Sequence, residues 1–359
     1  MFGRLVKEDN NVETIFFLVS GENQTLPFSE VKAILEAEGF AYEVLKSFPQ
    51  VLRVHSDSNC IEAVQRRASM TRVCGVEAFN CQAEMKEINR NVEEADVASY
   101  VGENESFVVR VKRVRGSSSD INTETLEKEL GEKLLGKVKG IKVNLKFPQK
   151  TFIGLLSDGN FIFGLMKAEI RAKGFIKRGS KGKVFTHSAE MPPKLSRCMV
   201  NLAQPRSGDV VLDPFCGTGS FLLEANLIGC RVLGFDVLRS MVRGSLRNLF
   251  IFNACYEGLM VADAQSLPLR DGTVDCIVTD PPYGISATTL GLGRREVFEG
   301  FLSAAAKLVK KGRRICVAAP ETVQVKEIGE RLGFKHVESH FIYIHRSLTR
   351  EIAVFQLPW

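Results

Sequence analysis

None of the nine cysteines forms a C-x-x-C pair with another; they stand at 60, 74, 81, 198, 216, 230, 255, 276 and 316. That scatter argues against a zinc site and against a secreted disulfide scaffold, and it suits a reducing cytosol. Long apolar runs are missing too. The longest near the amino terminus, 15–19, is far short of the roughly 20 residues a membrane span needs. The first ten residues lack a basic-then-apolar pattern, so no signal peptide is expected. Five histidines, at 55, 187, 336, 340 and 345, show no ligand spacing, and no internal repeat or low-complexity tract interrupts the chain. The expectation is a metal-free protein of the cytoplasm with no membrane segment. What is present is an ordinary globular composition, 45% hydrophobic and 25% charged, in 359 residues. That length suits two or three domains.

The net charge of +6 is modest but unevenly placed. Between 166 and 185 lie Lys167, Arg171, Lys173, Lys177, Arg178, Lys181 and Lys183 against Glu169 alone, a local excess equal to that of the whole chain. A second cluster, Arg110, Lys112, Arg113 and Arg115, falls in a strand-like run. Concentrated positive charge is what a polyphosphate partner selects, although a solvated linker face would look the same.

From about 209 onward strand and helix signals alternate. Apolar runs at 209–215, 230–237, 259–262, 276–279, 315–319, 340–345 and 352–356 read as strands. Helical patterns at 220–228, 239–252, 297–310 and 323–332 fall between most of them. Such alternation implies a parallel sheet covered on both faces, and the last two strands, with no helix between them, pair antiparallel. The expected fold is therefore α/β, doubly wound, with a mostly parallel seven-stranded sheet. The front half reads as two small α+β units in tandem. Strands at 14–20 and 50–55 go with helices at 28–38 and 60–71; strands at 106–114 and 141–145 go with a helix at 123–131. Strands at 151–156 and 160–166 then flank a hairpin turn at Ser157-Asp158-Gly159. The segment 167–193, rich in Gly, Lys and Pro, marks the boundary.

In Asp213-Pro214-Phe215-Cys216-Gly217-Thr218-Gly219-Ser220 a strand opens into a glycine turn and then a helix. A dinucleotide site would want a third small residue where Leu222 stands. Asp213 would repel a pyrophosphate but suits the ammonium of a methionine moiety. The next strand ends at Asp236, where a carboxylate can accept both hydroxyls of a ribose. The third ends at Asp263-Ala264, where one can accept from an adenine amine. Any one of these could be a helix cap. Three acids at successive strand ends beside a glycine turn fit S-adenosylmethionine, with S-adenosylhomocysteine as product.

Asp280-Pro281-Pro282-Tyr283 follows the fourth strand and so lies beside that site. A purine amine is a poor nucleophile because its lone pair is delocalised into the ring. Bonded to the Asp280 carboxylate and the Pro281 carbonyl, it is held with the lone pair free, and positioning and electrostatics do most of the catalysis. The prolines fix the turn, and the Tyr283 ring offers a stacking face for an extruded base. Pyrimidine carbon-5 methylation needs a cysteine nucleophile instead. Tyrosine follows the prolines here, Cys276 reads as core and Cys216 as structural. His187 could reach the site from the basic linker.

The order of a basic front half, a basic linker, then DPFCGTGSFLLEA and TDPPYG resembles the THUMP-containing RNA methyltransferases, and among them the archaeal tRNA (guanine-10-N2) methyltransferases. The segment HSAEMPPKLSRCMVNLA, 187–203, looks like that family's helix leading into the first sheet strand. The resemblance is strong over 186–284, weaker over 57–166 and weakest over 1–56. It implies a ferredoxin-like unit at 1–56, a THUMP-like RNA-binding domain at 57–166, a basic linker at 167–190 and a Rossmann-like class I methyltransferase domain at 191–359. By that pattern Asp213, Phe215, Gly217, Thr218, Gly219, Asp236, Asp263 and Ala264 hold S-adenosylmethionine, and Asp280, Pro281, Pro282 and Tyr283 hold a guanine of tRNA, at position 10, for methylation on N2. Two positions depart from it. Ser220 stands where many relatives carry glycine and is expected to cap the helix. Ile285-Ser286 stands where relatives often have arginine. The alternatives are methylation of another amine (adenine N6, glutamine N5 or a guanine N2 of rRNA) and an inactive RNA-binding protein. A monomer is expected, with a small activating subunit left open. If the basic linker meets RNA, affinity for tRNA measured by filter binding falls steeply as salt rises; a flat dependence contradicts that contact.

Overall fold

The structure is a computed structural model that describes residues 12–283 and 293–359. In chain order its first part holds β1 (Val12–Val19), α1 (Leu26–Glu38), β2 (Tyr42–Val44), β3 (Val51–Asp57), α2 (Cys60–Arg67), β4 (Thr71–Gln82), α3 (Met85–Glu94), β5 (Ser106–Arg113), α4 (Thr123–Lys137), β6 (Lys142–Val143), β7 (Lys150–Ser157) and β8 (Asn160–Glu169). Its second part holds α5 (Lys173–Arg178), α6 (Pro193–Leu202), β9 (Val210–Asp213), α7 (Ser220–Asn226), β10 (Arg231–Asp236), α8 (Arg239–Ile251), β11 (Gly258–Val261), β12 (Cys276–Thr279), α9 (Arg294–Leu308), β13 (Arg314–Pro320), α10 (Val325–Arg331), β14 (Lys335–His345) and β15 (Leu348–Gln356). Two compact units result, and they are not consecutive in sequence. One takes the chain up to Gln24, then Gly39–Gln65 and Thr71–Ile170; the other takes Thr25–Glu38, Arg66–Met70 and Arg171–Trp359.

The first unit is built on one eight-stranded sheet, ordered β2-β3-β1-β4-β8-β7-β5-β6. The two tandem groups of strands share this sheet because β4 pairs antiparallel with β1 on one side and with β8 on the other. Strand β4 escapes a periodicity reading. Its pairing with β8 shifts register at Cys74/Gly75 and again at Glu77/Phe79, so TRVCGVEAFNCQ never keeps the two-residue alternation that marks a half-buried strand. Phe107, Phe152, Phe161 and Phe163 are fully buried between β5, β7, β8 and helices α3 and α4. The β7–β8 hairpin turns at Asp158-Gly159 as expected.

The second unit carries the seven-stranded sheet, ordered β11-β10-β9-β12-β13-β15-β14. Strands β9 to β13 run parallel, and β15 pairs antiparallel with both β13 and β14. The one reversed strand thus lies inside the sheet, and β14 forms its edge. Alternate residues feed two cores: Val211, Cys276, Val278 and Cys316 face one, while Leu212, Ile277, Ile315 and Val317 face the other. Burial on both faces is why these strands read as unbroken apolar runs. Among the described residues no helix is long and apolar enough to cross a membrane.

Helix α1, distant in sequence, packs on α6 within this unit. Its Glu30 is fully buried. One carboxylate oxygen accepts from the Ser69 amide and hydroxyl (2.9 and 2.7 Å) and from Asn201 Nδ2 (2.9 Å); the other accepts from the Met70 amide at 2.8 Å. Arg67, also buried, donates to Asn201, Glu38 and the Pro205 carbonyl. Four donors converge on one carboxylate, so its removal strands them all. Glu30→Leu is expected to lower unfolding stability by at least about 3 kcal/mol, measured by denaturant titration. A loss within about 0.5 kcal/mol, ordinary for a surface change, contradicts this reading.

Candidate active site

Chain order in the second sheet reverses between β9 and β12, because β10 and β11 are added on one side and β12 and β13 on the other. Ligands of open α/β sheets sit at that point, beyond the carboxyl ends of the strands. Asp213 ends β9 and Asp280 follows β12, so both sequence-expected centres meet there.

Asp213 is 1% exposed. Its Oδ1 accepts from the Thr279 hydroxyl at 2.7 Å and the Phe215 amide at 3.2 Å. Its Oδ2 is buried with no partner among the described residues. Burial pushes its pKa up to about 8, against the pull of those two hydrogen bonds, and the neighbouring Asp236 and Asp280 charges add to the rise. A buried acceptor without a donor costs free energy. The defect disappears when a cationic N–H donor sits against Oδ2, so the site fits the ammonium of a methionine moiety.

The glycine loop is ordered around this carboxylate. Gly219, at φ +82°, precedes α7 in the left-handed region, and a Cβ there would run into the Ser245 hydroxyl. The Gly217 amide donates to Asp236 Oδ2 at 3.0 Å, and the Leu238 amide donates to Oδ1 at 2.9 Å. Burial raises the Asp236 pKa, opposed by these amides and by the charge of His187. Leu222 occupies the space that a dinucleotide fold would leave empty at its third glycine. The compensating small residue is Gly234 on β10, where a Cβ would stand 2.5 Å from Leu222 Cδ1. Phe215 packs edge-on to Phe301 of α9 with ring centroids 5.5 Å apart. Thr218 is buried. Asp263 is exposed two residues beyond β11 and accepts from the Gln265 amide, while Ala264 beside it is buried. Asp213 and Asp236 are therefore close enough for their charges to interact.

The basic linker docks onto this loop. Lys183 has a side chain 1% exposed. Its ammonium donates to Ser220 Oγ (2.7 Å), Glu190 (3.1 Å) and Thr218 Oγ1 (3.3 Å). Burial lowers its pKa, opposed by Glu190. Asn248 of α8 uses its whole amide: it accepts from the Val184 and Phe185 amides and donates to the Phe185 and Thr218 carbonyls. Ser220 is the first residue of α7 and serves Lys183 instead of capping the helix. Of the linker cations, Lys183 is thus internal, and Arg178 pairs with the buried Glu224 at 2.6 Å. Lys173, Lys177 and Lys181 remain exposed. In the second cluster Arg110 pairs with Glu127 and Arg113 donates to the Ile121 carbonyl, leaving Lys112 and Arg115 exposed.

At the fourth strand, Pro281 is buried and Pro282 half-buried. The Tyr283 hydroxyl donates to Asp280 Oδ1. Arg350 of β15, unremarked in the sequence, donates through Nε to that hydroxyl at 3.0 Å, and its Nη2 stands 3.7 Å from Asp280 Oδ2. The guanidinium lies 5.6 Å from the Tyr283 ring centroid. Burial pushes the Asp280 pKa up to about 6, opposed by the Arg350 charge and the Tyr283 hydroxyl. Cys276 lies wholly in the core, its thiol pushed up to about 12 by burial, and burial also raises the Cys216 thiol well above its ordinary value. Neither is an available thiolate. Gly284, Ile285 and Ser286 lie outside the described residues. No group of metal-ligating side chains occurs among the described residues.

Comparison with known proteins agrees with this geometry. The family model described as an RMKL-like methyltransferase domain matches residues 181–350, and the THUMP domain model matches 82–163. The tRNA (guanine(10)-N2)-dimethyltransferase of Methanothermobacter thermautotrophicus is 34% identical over 344 residues, covering 94% of this chain and 98% of that protein. The protein of the same name from Methanocaldococcus jannaschii is 29% identical, covering 95% and 99%. Among solved structures, TrmN from Thermus thermophilus shares the fold, with a TM-score of 0.54 at 18% identity over 96% of this chain and all of that one. The SMU.472 protein, solved in complex with SAH, has a TM-score of 0.52 at 14% identity over 96% of this chain and 98% of that one. On the near-complete archaeal match, the chain belongs to the THUMP-containing tRNA (guanine(10)-N2)-methyltransferase family.

Proposed function

We propose that this protein methylates the exocyclic N2 of guanine 10 in tRNA with S-adenosylmethionine as donor, acting in the cytoplasm. The observation that carries the reading is the Asp280 carboxylate held next to the cation-seeking Asp213 at the switch point of the sheet. The archaeal relatives' names and the THUMP match supply the macromolecule. S-adenosylmethionine supplies an electrophilic methyl when bound. Asp213 would accept its ammonium, Asp236 the ribose hydroxyls and Asp263 the adenine amine, with Phe215, Gly217, Thr218, Gly219 and Ala264 shaping the loop and turn around them. Asp280, with the Pro281 carbonyl, orients the guanine amine; as a carboxylate it also stabilises the positive charge that grows on nitrogen. Pro281 and Pro282 fix the turn, and the Tyr283 ring flanks the base. The region 57–166 would grip the tRNA, and the exposed Lys173, Lys177 and Lys181 would meet its phosphates.

The test is incubation with methyl-labelled S-adenosylmethionine and unmodified tRNA, followed by nucleoside analysis. Label is expected in mono- or dimethylated guanosine; label in adenosine or protein contradicts the proposal. Asp280→Ala is expected to keep cofactor affinity and lose at least about 10²-fold in turnover, and near-normal turnover contradicts the role assigned to it.

Asp213 makes a separate expectation. In the unfolded chain an aspartate ionises near pH 3.9, whereas folded Asp213 keeps its proton up to about 8. The folded state therefore binds the extra proton across that window, and this group's contribution to stability falls as pH rises through it. Asp213→Asn is expected to raise the melting temperature of the ligand-free protein near about pH 8 and to flatten that pH dependence. It also weakens S-adenosylhomocysteine binding by at least about tenfold, through loss of a charged hydrogen bond. Calorimetric binding and thermal scans measure both. Unchanged affinity contradicts the ammonium assignment.

A further inference from the structure

We propose that Arg350 is a positioning residue of the methyl transfer, holding the Asp280 carboxylate and the Tyr283 hydroxyl as one fixed unit against the incoming amine. The inference deepens the reading of the site given above and rests on it. Geometry makes the case first. Parallel strands deliver their last residues to the ligand edge of the sheet, whereas a reversed strand delivers its first. Strand β15 begins at Leu348, and Arg350 pairs with Pro320, the final residue of β13. The reversal thus brings a cation to the edge where Asp213 and Asp280 stand, a service no parallel strand could perform with its leading residues.

The contacts are specific. Nε of Arg350 donates to the Tyr283 hydroxyl at 3.0 Å, the hydroxyl donates to Asp280 Oδ1, and Nη2 stands 3.7 Å from Oδ2. Nη1 meets the Met191 sulfur at 3.6 Å, which steadies the guanidinium from the side of the segment leading into α6. The Arg350 and Asp280 side chains are 12% and 15% exposed, so the interaction is little screened. Tyrosine in place of phenylalanine after the prolines acquires a reason here, because only a hydroxyl can link the two charges.

The positive charge that grows on the amine is better met by an ionised carboxylate than by a neutral carboxyl. The titratable and charged groups facing Asp280 are Arg350 from β15, Tyr283 from its own turn and Asp213 from the end of β9. Burial favours the neutral carboxyl; the Arg350 charge and the Tyr283 hydroxyl oppose it. A protonated Asp280 would offer one oxygen as a donor and lose its grip on the amine.

The experiment is single-turnover methylation of unmodified tRNA across pH for the wild type, Arg350→Met and Arg350→Lys, with S-adenosylhomocysteine affinity measured alongside. Arg350→Met is expected to move the acid limb up by about one pH unit, as loss of a nearby opposite charge does. Its rate then falls about tenfold below the limb and recovers largely near about pH 9, with cofactor affinity unchanged. Arg350→Lys keeps the charge and leaves the limb near its wild-type place. An equal fractional loss at every pH, or no loss, overturns the proposal. If Arg350→Met melts below the assay temperature, Tyr283→Phe carries the test: the limb moves in the same direction, and an unmoved limb overturns the proposal. Failure of the underlying reading looks different, because the wild type itself would then place no label in tRNA guanine.

Discussion

A carboxylate sealed at the end of β9, with one oxygen satisfied and the other unmatched among the described residues, is the constraint from which the rest of the catalytic half follows. Asp213 is held by Thr279 and Phe215 from two strand ends, and this fixes where β9 and β12 finish relative to each other. The unmatched Oδ2 makes the ligand-free protein less stable than its packing would allow, which is the usual signature of a site built for a charged ligand. Around it the loop is tied down: Gly217 through its amide to Asp236, Thr218 through its carbonyl to Asn248, and Ser220 through its hydroxyl to Lys183. These ties leave the loop little freedom to collapse onto the unmatched oxygen.

The same arrangement divides the labour of charge. Positive groups that the sequence presents as one basic stretch have two different employments. Lys183 and Arg178 are turned inward, to the glycine loop and to Glu224, and hold the linker against the catalytic unit. Lys173, Lys177 and Lys181 keep solvent exposure. One short segment thus carries both cations used in packing and cations left to solvent.

How much could be read beforehand follows from how local each signal is. The parallel strands and the acids that end them are contiguous in sequence, and the positions of Asp213, Asp236 and Asp280 were legible from motif and periodicity. Leu222 pointed away from dinucleotides correctly, and the structure supplies the reason at Gly234, twelve residues on. Signals that depend on distant partners were not legible. Helix α1 reads as part of the front half, yet Glu30 is matched to Asn201 and Ser69 within the catalytic unit. Strand β4 hides behind its register shifts. Arg350 lies 67 residues from Tyr283 in the chain, and only the reversal of β15 brings them together. Ser220 shows the reverse error, since a helix-start serine is normally a cap and here the buried lysine claims it.

In the proposed reaction Asp280 presents one particular amine, the N2 of guanine 10, for methylation. Inosine differs from guanosine by the absence of that amine, so the most direct measurement compares methyl incorporation into an unmodified tRNA with incorporation into the same tRNA carrying inosine at position 10. Label is expected in the first and none in the second, with both RNAs bound equally well. Equal incorporation into the two would contradict the proposal.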